Sequence, residues 1–222
     1  PLPRFLPSLF DGSGGHDMFF YGPLPFAIEA ILAPACFGCD VTTKPALTGA
    51  ALLIMSSITC YFFLREFFAV WSAIIGAIFY SLLPYHLLID WFLRQAIAEF
   101  AAYIFIPLIS LGFHRICSKR GGGPLVVLGV AGCVLSHLPT ALLAAYIFGI
   151  AAIAYMFGAG GYDGKRLRTF LQLCGWAILG MALVAFYWRP ALVLVLLDSV
   201  SAHTLYQPYY NAQSWLYGFD VN

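Results

Sequence analysis

Residues 45–88 read PALTGAALLIMSSITCYFFLREFFAVWSAIIGAIFYSLLPYHLL, two long apolar runs divided by the charged pair Arg65–Glu66. An α-helix needs about 20 apolar residues to cross the hydrocarbon core of a bilayer, where it satisfies its own backbone. Strands of a membrane barrel would instead alternate polar and apolar at every second residue. The stretch therefore predicts two helical spans, at 45–64 and 68–87, joined by a short charged turn.

The composition of the whole chain agrees. Hydrophobic residues make up 62% of the 222 and charged residues 9%, with a mean hydropathy of +0.87. A soluble domain carries about a quarter charged residues, so the bilayer is the expected solvent and partner. The formal charge of +1 gives no reason to expect a nucleic-acid partner. Pro1 opens a Pro- and Gly-rich segment without the basic start and apolar run of a signal peptide, and the chain is expected to be a piece of a longer protein.

Beyond 88 the pattern repeats. The polar stretch 90–95 (DWFLRQ) precedes a third span at 97–114, kinked at Pro107 and ending at Arg115, Lys119 and Arg120. Residues 125–157 suit one kinked helix or two short ones. Lys119–Arg120 and Lys165–Arg166–Arg168 belong on one side if basic loops stay cytoplasmic, which requires an even number of crossings between them. A helical hairpin, 125–136 and 140–157, turning around His137 and Pro139, meets that demand. A last span at 169–188 ends at Trp188–Arg189–Pro190. Before the first span, 24–38 is too short to cross and reads as an interfacial or half-helix. The expected architecture is all-α and polytopic: an extracytoplasmic loop with half-helix (1–43), a transmembrane domain of about six helices (44–190), and an extracytoplasmic aromatic-rich segment (191–222).

Charge sets the orientation. The loops assigned to the cytoplasm hold Arg65, Arg115, Lys119, Arg120, Lys165, Arg166 and Arg168 against Glu66 and Asp163. The other side holds Arg4, Lys44, Arg94 and Arg189 against Asp11, Asp17, Glu29, Asp40, Asp90, Glu99, Asp198 and Asp220. This is the positive-inside bias, and it gathers the carboxylates on the outer face.

With that topology, several segments resemble a known group. The opening loop PRFLPSLFDGSGGHDMFFYGPL (3–24) is similar to the first extracytoplasmic loop of GT-C superfamily membrane glycosyltransferases, nearest to bacterial 6-pyruvoyl-tetrahydropterin-synthase-related membrane proteins. That loop reads roughly Pro-Arg-Trp, Gly-x-Gly, then Phe-Tyr-x-Pro-Leu. LRQAIAEFAAYIFIPLI (93–109) resembles the family's Arg-Gly-Ala-x-Ala-Glu and Pro-Leu helix through Arg94, Glu99 and Pro107. LSHLPTALL (135–143) resembles its Thr-His-Asn hairpin through His137, and FYWRPAL (186–192) its Phe-Tyr/Trp-x-Pro-Ala through Pro190. His16–Asp17 and Gln95 depart from the pattern, the latter standing where the family has Gly. The resemblance implies a GT-C-like fold in the bacterial inner membrane with its polar site facing the periplasm. It also implies a polyprenyl-phosphate sugar donor, and a first span and loop acid lying upstream of Pro1.

The candidate residues each admit two readings. Asp90/Arg94 and Gln95/Glu99 are i,i+4 pairs if the helix is continuous. Arg94 either clamps the donor phosphate, which a guanidinium fork matches, or closes a structural ion pair. Asp17 either acts as a general base or, with His16, helps hold a divalent cation (Mg or Mn) through oxygen ligands; otherwise GSGGHD is a solvated turn. His137 either binds phosphate or shuttles a proton, or is an ordinary interfacial histidine. Arg189 reaches a phosphate or snorkels as an anchor, and Arg4 rests on the loop resemblance. Cys36 and Cys39 allow a disulfide, without the context of a redox or zinc motif. The catalytic set is thus Asp17, Glu99 and His137, and the substrate-binding set Arg94, Gln95, Asp90, Arg189 and Arg4. Sugar transfer leads. A non-catalytic subunit of a larger membrane complex is the main rival, and a transporter, lacking a paired repeat of broken helices, is third.

Overall fold

The computed structural model describes residues 21–36, 38, 40, 43–158 and 164–197. Among them all regular structure is helical: α1 (Leu24–Leu32), α2 (Thr43–Leu64), α3 (Val70–Ser81), a π-helical segment (Tyr85–Leu93), α4 (Ile97–Ala102), α5 (Phe105–Cys117), α6 (Gly123–Ser136), α7 (Leu138–Phe157), α8 (Gly164–Leu183) and α9 (Ala185–Leu197). Four stretches are long and apolar enough to cross a membrane: Thr43–Leu64, Val70–Leu93, Ile97–Cys117 and Leu138–Phe157. Gly164–Leu183 taken with Ala185–Val193 passes the same test as a broken span, giving up to five. Trp71, Phe79, Leu142, Tyr146 and Ile150 are among many large apolar side chains left exposed, as expected where lipid replaces water. These helices point to a multi-pass membrane protein.

The expected half-helix is present as α1, continued by a 3-10 turn, Ala33–Cys36. The second span runs further than expected, to Leu93, because after Pro84 the chain winds as a π-helix instead of unravelling. Asp90 therefore sits inside the span. The third is broken at Tyr103 and Ile104, between α4 and α5. Pro107 has no N–H for the Tyr103 carbonyl four residues back, and the Tyr80 hydroxyl of α3 donates to that oxygen instead at 2.8 Å. An unsatisfied carbonyl in an apolar interior costs about 1–3 kcal/mol. Tyr80→Phe is expected to lower the unfolding midpoint of the detergent-solubilised protein accordingly. In a Pro107→Ala background, where the backbone N–H returns, the same change should cost much less, and equal costs in both backgrounds would refute the assignment.

Residues 125–157 form the expected hairpin, α6 and α7, parted at His137, whose backbone is extended. Val126 near the start of α6 and Ala152 near the end of α7 share a core with Ile116 and Leu173, as antiparallel neighbours must. At 14 residues, α6 rises only about 21 Å, short of the roughly 30 Å core. It lies among the other helices: Val126, Val127, Cys133 and Val134 are buried. Gly132 approaches Phe105 so closely that a Cβ would stand 2.1 Å from its ring, the close packing small residues permit between membrane helices. Ser57 and Ser81 link α2 to α3 through a 2.5 Å hydroxyl contact. Cys60 and Cys133 are buried free thiols, with Cys117 and Cys174 half-buried.

The expected final span, 169–188, is displaced. α8 begins at Gly164, taking Lys165, Arg166 and Arg168 into its first turns, and ends at Leu183. Arg166 caps the end of α7 by donating to the Gly158 carbonyl at 2.7 Å. Arg189–Pro190 does not terminate a helix; it lies within α9, which carries Pro190 internally. α9 belongs to a second unit, which begins at Ala185.

At one end of the first unit, Glu66 from the α2–α3 turn pairs with Arg115 (2.8 Å) in the last turn of α5 and with Arg120 (2.7 Å) just beyond it. Two turns expected on one side thus meet. The Arg115 hydrogen bond, joined by Arg120 and opposed by burial, holds the Glu66 carboxyl below its ordinary 4.5. A depressed carboxylate stabilises the fold above its unfolded pKa and loses that stability as pH falls through the folded value. The unfolding midpoint should therefore drop on acidification below about 4.5, and less so in Glu66→Gln. Parallel curves for the two proteins would contradict this.

Candidate functional site

The polar cluster at the opposite end grows out of the irregular winding between the second and third spans. In the π segment the Arg94 N–H reaches back five residues to the Ile89 carbonyl, 2.8 Å, and the Ala96 N–H reaches the Asp90 carbonyl, 2.7 Å. Gln95 then adopts a left-handed backbone, φ +50°. Ala96, at φ −79° and ψ 62°, is the centre of an inverse γ-turn, closed by Ile97 N–H to Gln95 O at 2.9 Å. The helix expected to carry Gln95 and Glu99 as an i,i+4 pair is interrupted here. Gln95 thus sits in the turn, and the pairing partner of Glu99 is Arg94.

That turn brings four side chains together. Arg94 Nη1 donates to Asp90 Oδ1 (3.0 Å), to Glu99 Oε2 (2.9 Å) and to the Tyr85 oxygen (3.2 Å), while the Tyr85 hydroxyl donates to Glu99 Oε1 (3.1 Å). Asp90 is fully buried, Glu99 is 14% exposed and Arg94 40%. The cluster thus has a buried floor and an open rim. All three contacts of Arg94 use one guanidinium nitrogen, Nη1, so the rest of the fork has no protein acceptor among the described residues. Beneath the floor, His86 is enclosed by the Phe100 and Tyr103 rings at 4.5 and 4.3 Å, with neither ring nitrogen hydrogen-bonded among the described residues.

His137, at the α6–α7 turn, belongs to the same neighbourhood. Its Nδ1 meets Thr140 Oγ1 at 2.8 Å. Burial holds its imidazole below the ordinary 6.5, with Glu99 pulling it up and Arg94 pushing it down, so both charges act on it. Gly22, just before α1, lies here too: a Cβ on it would stand 1.7 Å from the Ser136 carbonyl oxygen, so only a glycine lets the chain lie against the turn. Asp90, Arg94, Glu99 and His137 are therefore gathered at one end, with Gln95 in the adjoining turn. Arg189 lies in the second unit, and Arg4, His16, Asp17 and Cys39 lie outside the described residues, as does the side chain of Cys36. Among the described residues, no group of three or more His, Cys, Asp or Glu is placed to hold a metal ion.

Tyr85, His86 and Tyr103 escape a reading of the sequence because aromatics in an apolar run look like span. The one available signal is spacing: Tyr85–Asp90 and Arg94–Glu99 are each five apart, the interval of a π-turn, following Pro84. No family model, curated protein or solved structure matches this chain.

Proposed function

We propose that this chain forms the membrane core of a GT-C-like glycosyltransferase, which transfers a sugar from a polyprenyl-phosphate donor at the mouth lined by Tyr85, Arg94, Glu99 and His137. The observation that carries the reading is the open rim. A carboxylate and part of a guanidinium stay accessible on a helix end that is broken and rewound to hold them, beside a histidine and Gly22. Ionisable groups kept at the edge of a membrane domain generally face a substrate path or a partner. In this reading Glu99 takes the proton of the acceptor hydroxyl. That oxygen bonds to the anomeric carbon as the bond from that carbon to the phosphate oxygen breaks, and the phosphate departs on the lipid. Arg94, through its remaining N–H groups, and His137 stabilise the leaving phosphate. Tyr85 and Asp90 position Arg94, and Gln95 shapes the rim. Arg4 and Arg189 would add charge for the donor, and Asp17, with His16, a second acid or a site for Mg or Mn. The left-handed Gln95 stands where the resembling family carries Gly, which suits the same turn. The fold would have about six crossings, with α6 as a short one, in the bacterial inner membrane, the mouth facing the periplasm.

One observation favours the rival, a non-catalytic membrane subunit: Arg94 and Glu99 already satisfy one another, as a structural ion pair would. Reconstituted vesicles supplied with labelled polyprenyl-phosphate sugars separate the two. Sugar transfer above empty vesicles, abolished in Glu99→Gln, supports the enzyme. Absence of transfer from every donor tried, with a stoichiometric membrane partner co-purifying, supports the subunit.

A further inference from the structure

His137 closes α6 and opens α7, and that place in the fold limits what its ring can bond. It is the N-cap of a 20-residue helix, with an extended backbone of φ −152° and ψ 109°. An N-cap side chain ordinarily accepts from the backbone N–H two or three residues on. Two residues on is Pro139, which has no N–H, and His137 makes no such cap bond. Its Nδ1 meets the Thr140 hydroxyl instead, at 2.8 Å. Two arrangements give that contact: the hydroxyl donates to Nδ1, or an Nδ1–H donates to the hydroxyl. They leave opposite chemistry on Nε2, a donor in the first case and an acceptor in the second.

The surroundings decide between them. Threonines inside the helices of this chain donate to the carbonyl four residues back: Thr48 to Lys44 and Thr169 to Lys165, each at 3.1 Å. Four residues before Thr140 is Ser136, the last residue of α6, on the far side of the turn. Among the described residues the Thr140 hydroxyl meets no carbonyl, and the ring nitrogen is the acceptor at hand. The positive end of the α7 dipole likewise favours a lone pair over an N–H on that nitrogen. Nε2 has no hydrogen-bond partner among the described residues and is not sealed from the surface. We propose that Thr140 is a positioning residue: its hydroxyl donates to His137 Nδ1, and this fixes the imidazole as the tautomer whose Nε2–H donates to the lipid phosphate as it departs. The substrate rests on the sugar-transfer reading, and the assignment gives His137 one task within it. A nitrogen that already carries a proton cannot take that of the acceptor hydroxyl, which falls to Glu99. The proton stays on Nε2 throughout and adds a hydrogen bond to the charge of Arg94. Burial, which disfavours a charged ring, suits a neutral donor.

Nitrogen NMR of the full chain in lipid nanodiscs, labelled only at histidine, reads the tautomer directly, with the His137 signals identified by their absence from His137→Gln. At about pH 8, where imidazoles are neutral, Nδ1 should resonate as a bare nitrogen accepting a hydrogen bond and Nε2 as a protonated one. Thr140→Ser should keep that pattern, and Thr140→Val should move Nδ1 to the position of an unbonded nitrogen. A protonated Nδ1 in the unaltered chain, or an Nδ1 signal indifferent to Thr140→Val, would overturn the assignment. In vesicles given a labelled polyprenyl-phosphate sugar, Thr140→Val should lower kcat about tenfold, the loss one neutral hydrogen bond accounts for, with KM little changed. Thr140→Ser should restore the rate. An unchanged kcat in Thr140→Val, or a serine variant no faster than the valine one, would overturn the positioning role. The expected nitrogen signals in a chain that transfers sugar from no donor would uphold the hold of Thr140 on His137 and overturn the sugar-transfer reading instead.

Discussion

Arg94→Gln is expected to destabilise the protein by about 3 kcal/mol, seen as a lower unfolding midpoint in detergent or nanodiscs. The cause lies less in the arginine, which is partly exposed, than in Asp90, which is not exposed at all. Asp90 Oδ1 has Arg94 as its hydrogen-bonded cation, and Oδ2 has no hydrogen-bond partner among the described residues. Removing the guanidinium leaves a buried carboxyl without compensation, the costly half of breaking a buried pair. The double variant Asp90→Asn/Arg94→Gln should recover most of the loss, because the group left stranded is then neutral. Arg94→Gln with an unchanged midpoint, or a double variant no more stable than the single, would show that Asp90 does not depend on Arg94.

Glu99→Gln should behave in the opposite way, leaving the fold nearly intact while removing activity. The amide keeps its oxygen as an acceptor for Arg94 and turns its NH2 to donate to the Tyr85 oxygen, and the pair sits at a partly exposed rim, where such an interaction contributes about 1 kcal/mol or less. If Glu99 is the base that accepts the acceptor's proton, sugar transfer should fall by about 10²–10⁴-fold with the midpoint almost unmoved. A variant that transferred sugar at the ordinary rate would remove Glu99 from the chemistry. A variant that unfolded would instead mark the cluster as structural.

Much of the architecture is legible in the sequence because the bilayer is a severe filter. Arg65–Glu66, Arg115, Lys119–Arg120 and Lys165–Arg168 mark where apolar runs must end. Their mutual sidedness predicts the α6–α7 hairpin that hydropathy alone leaves open. What is not legible is winding. Hydropathy does not separate α from π, so the span reads as ending at about 87 and residues 90–95 as the polar stretch between two spans. The real path carries Asp90 inside and inserts a γ-turn at Ala96 that undoes the expected Gln95–Glu99 pair. The displaced last span has a similar cause. Lys165–Arg168 reads as a loop by charge, yet charged side chains are compatible with the first turns of a helix whose Arg166 caps its neighbour.

The convergence of both rim and hairpin turn on one compartment is the central claim, and thiol labelling from either side tests it most directly. In a cysteine-free background, Gln95→Cys, His137→Cys and Arg120→Cys would each be probed with a membrane-impermeant maleimide in sealed vesicles of known orientation. Positions 95 and 137 are predicted to react from one side and position 120 from the other. Reaction of 95 and 137 from opposite compartments would contradict the account.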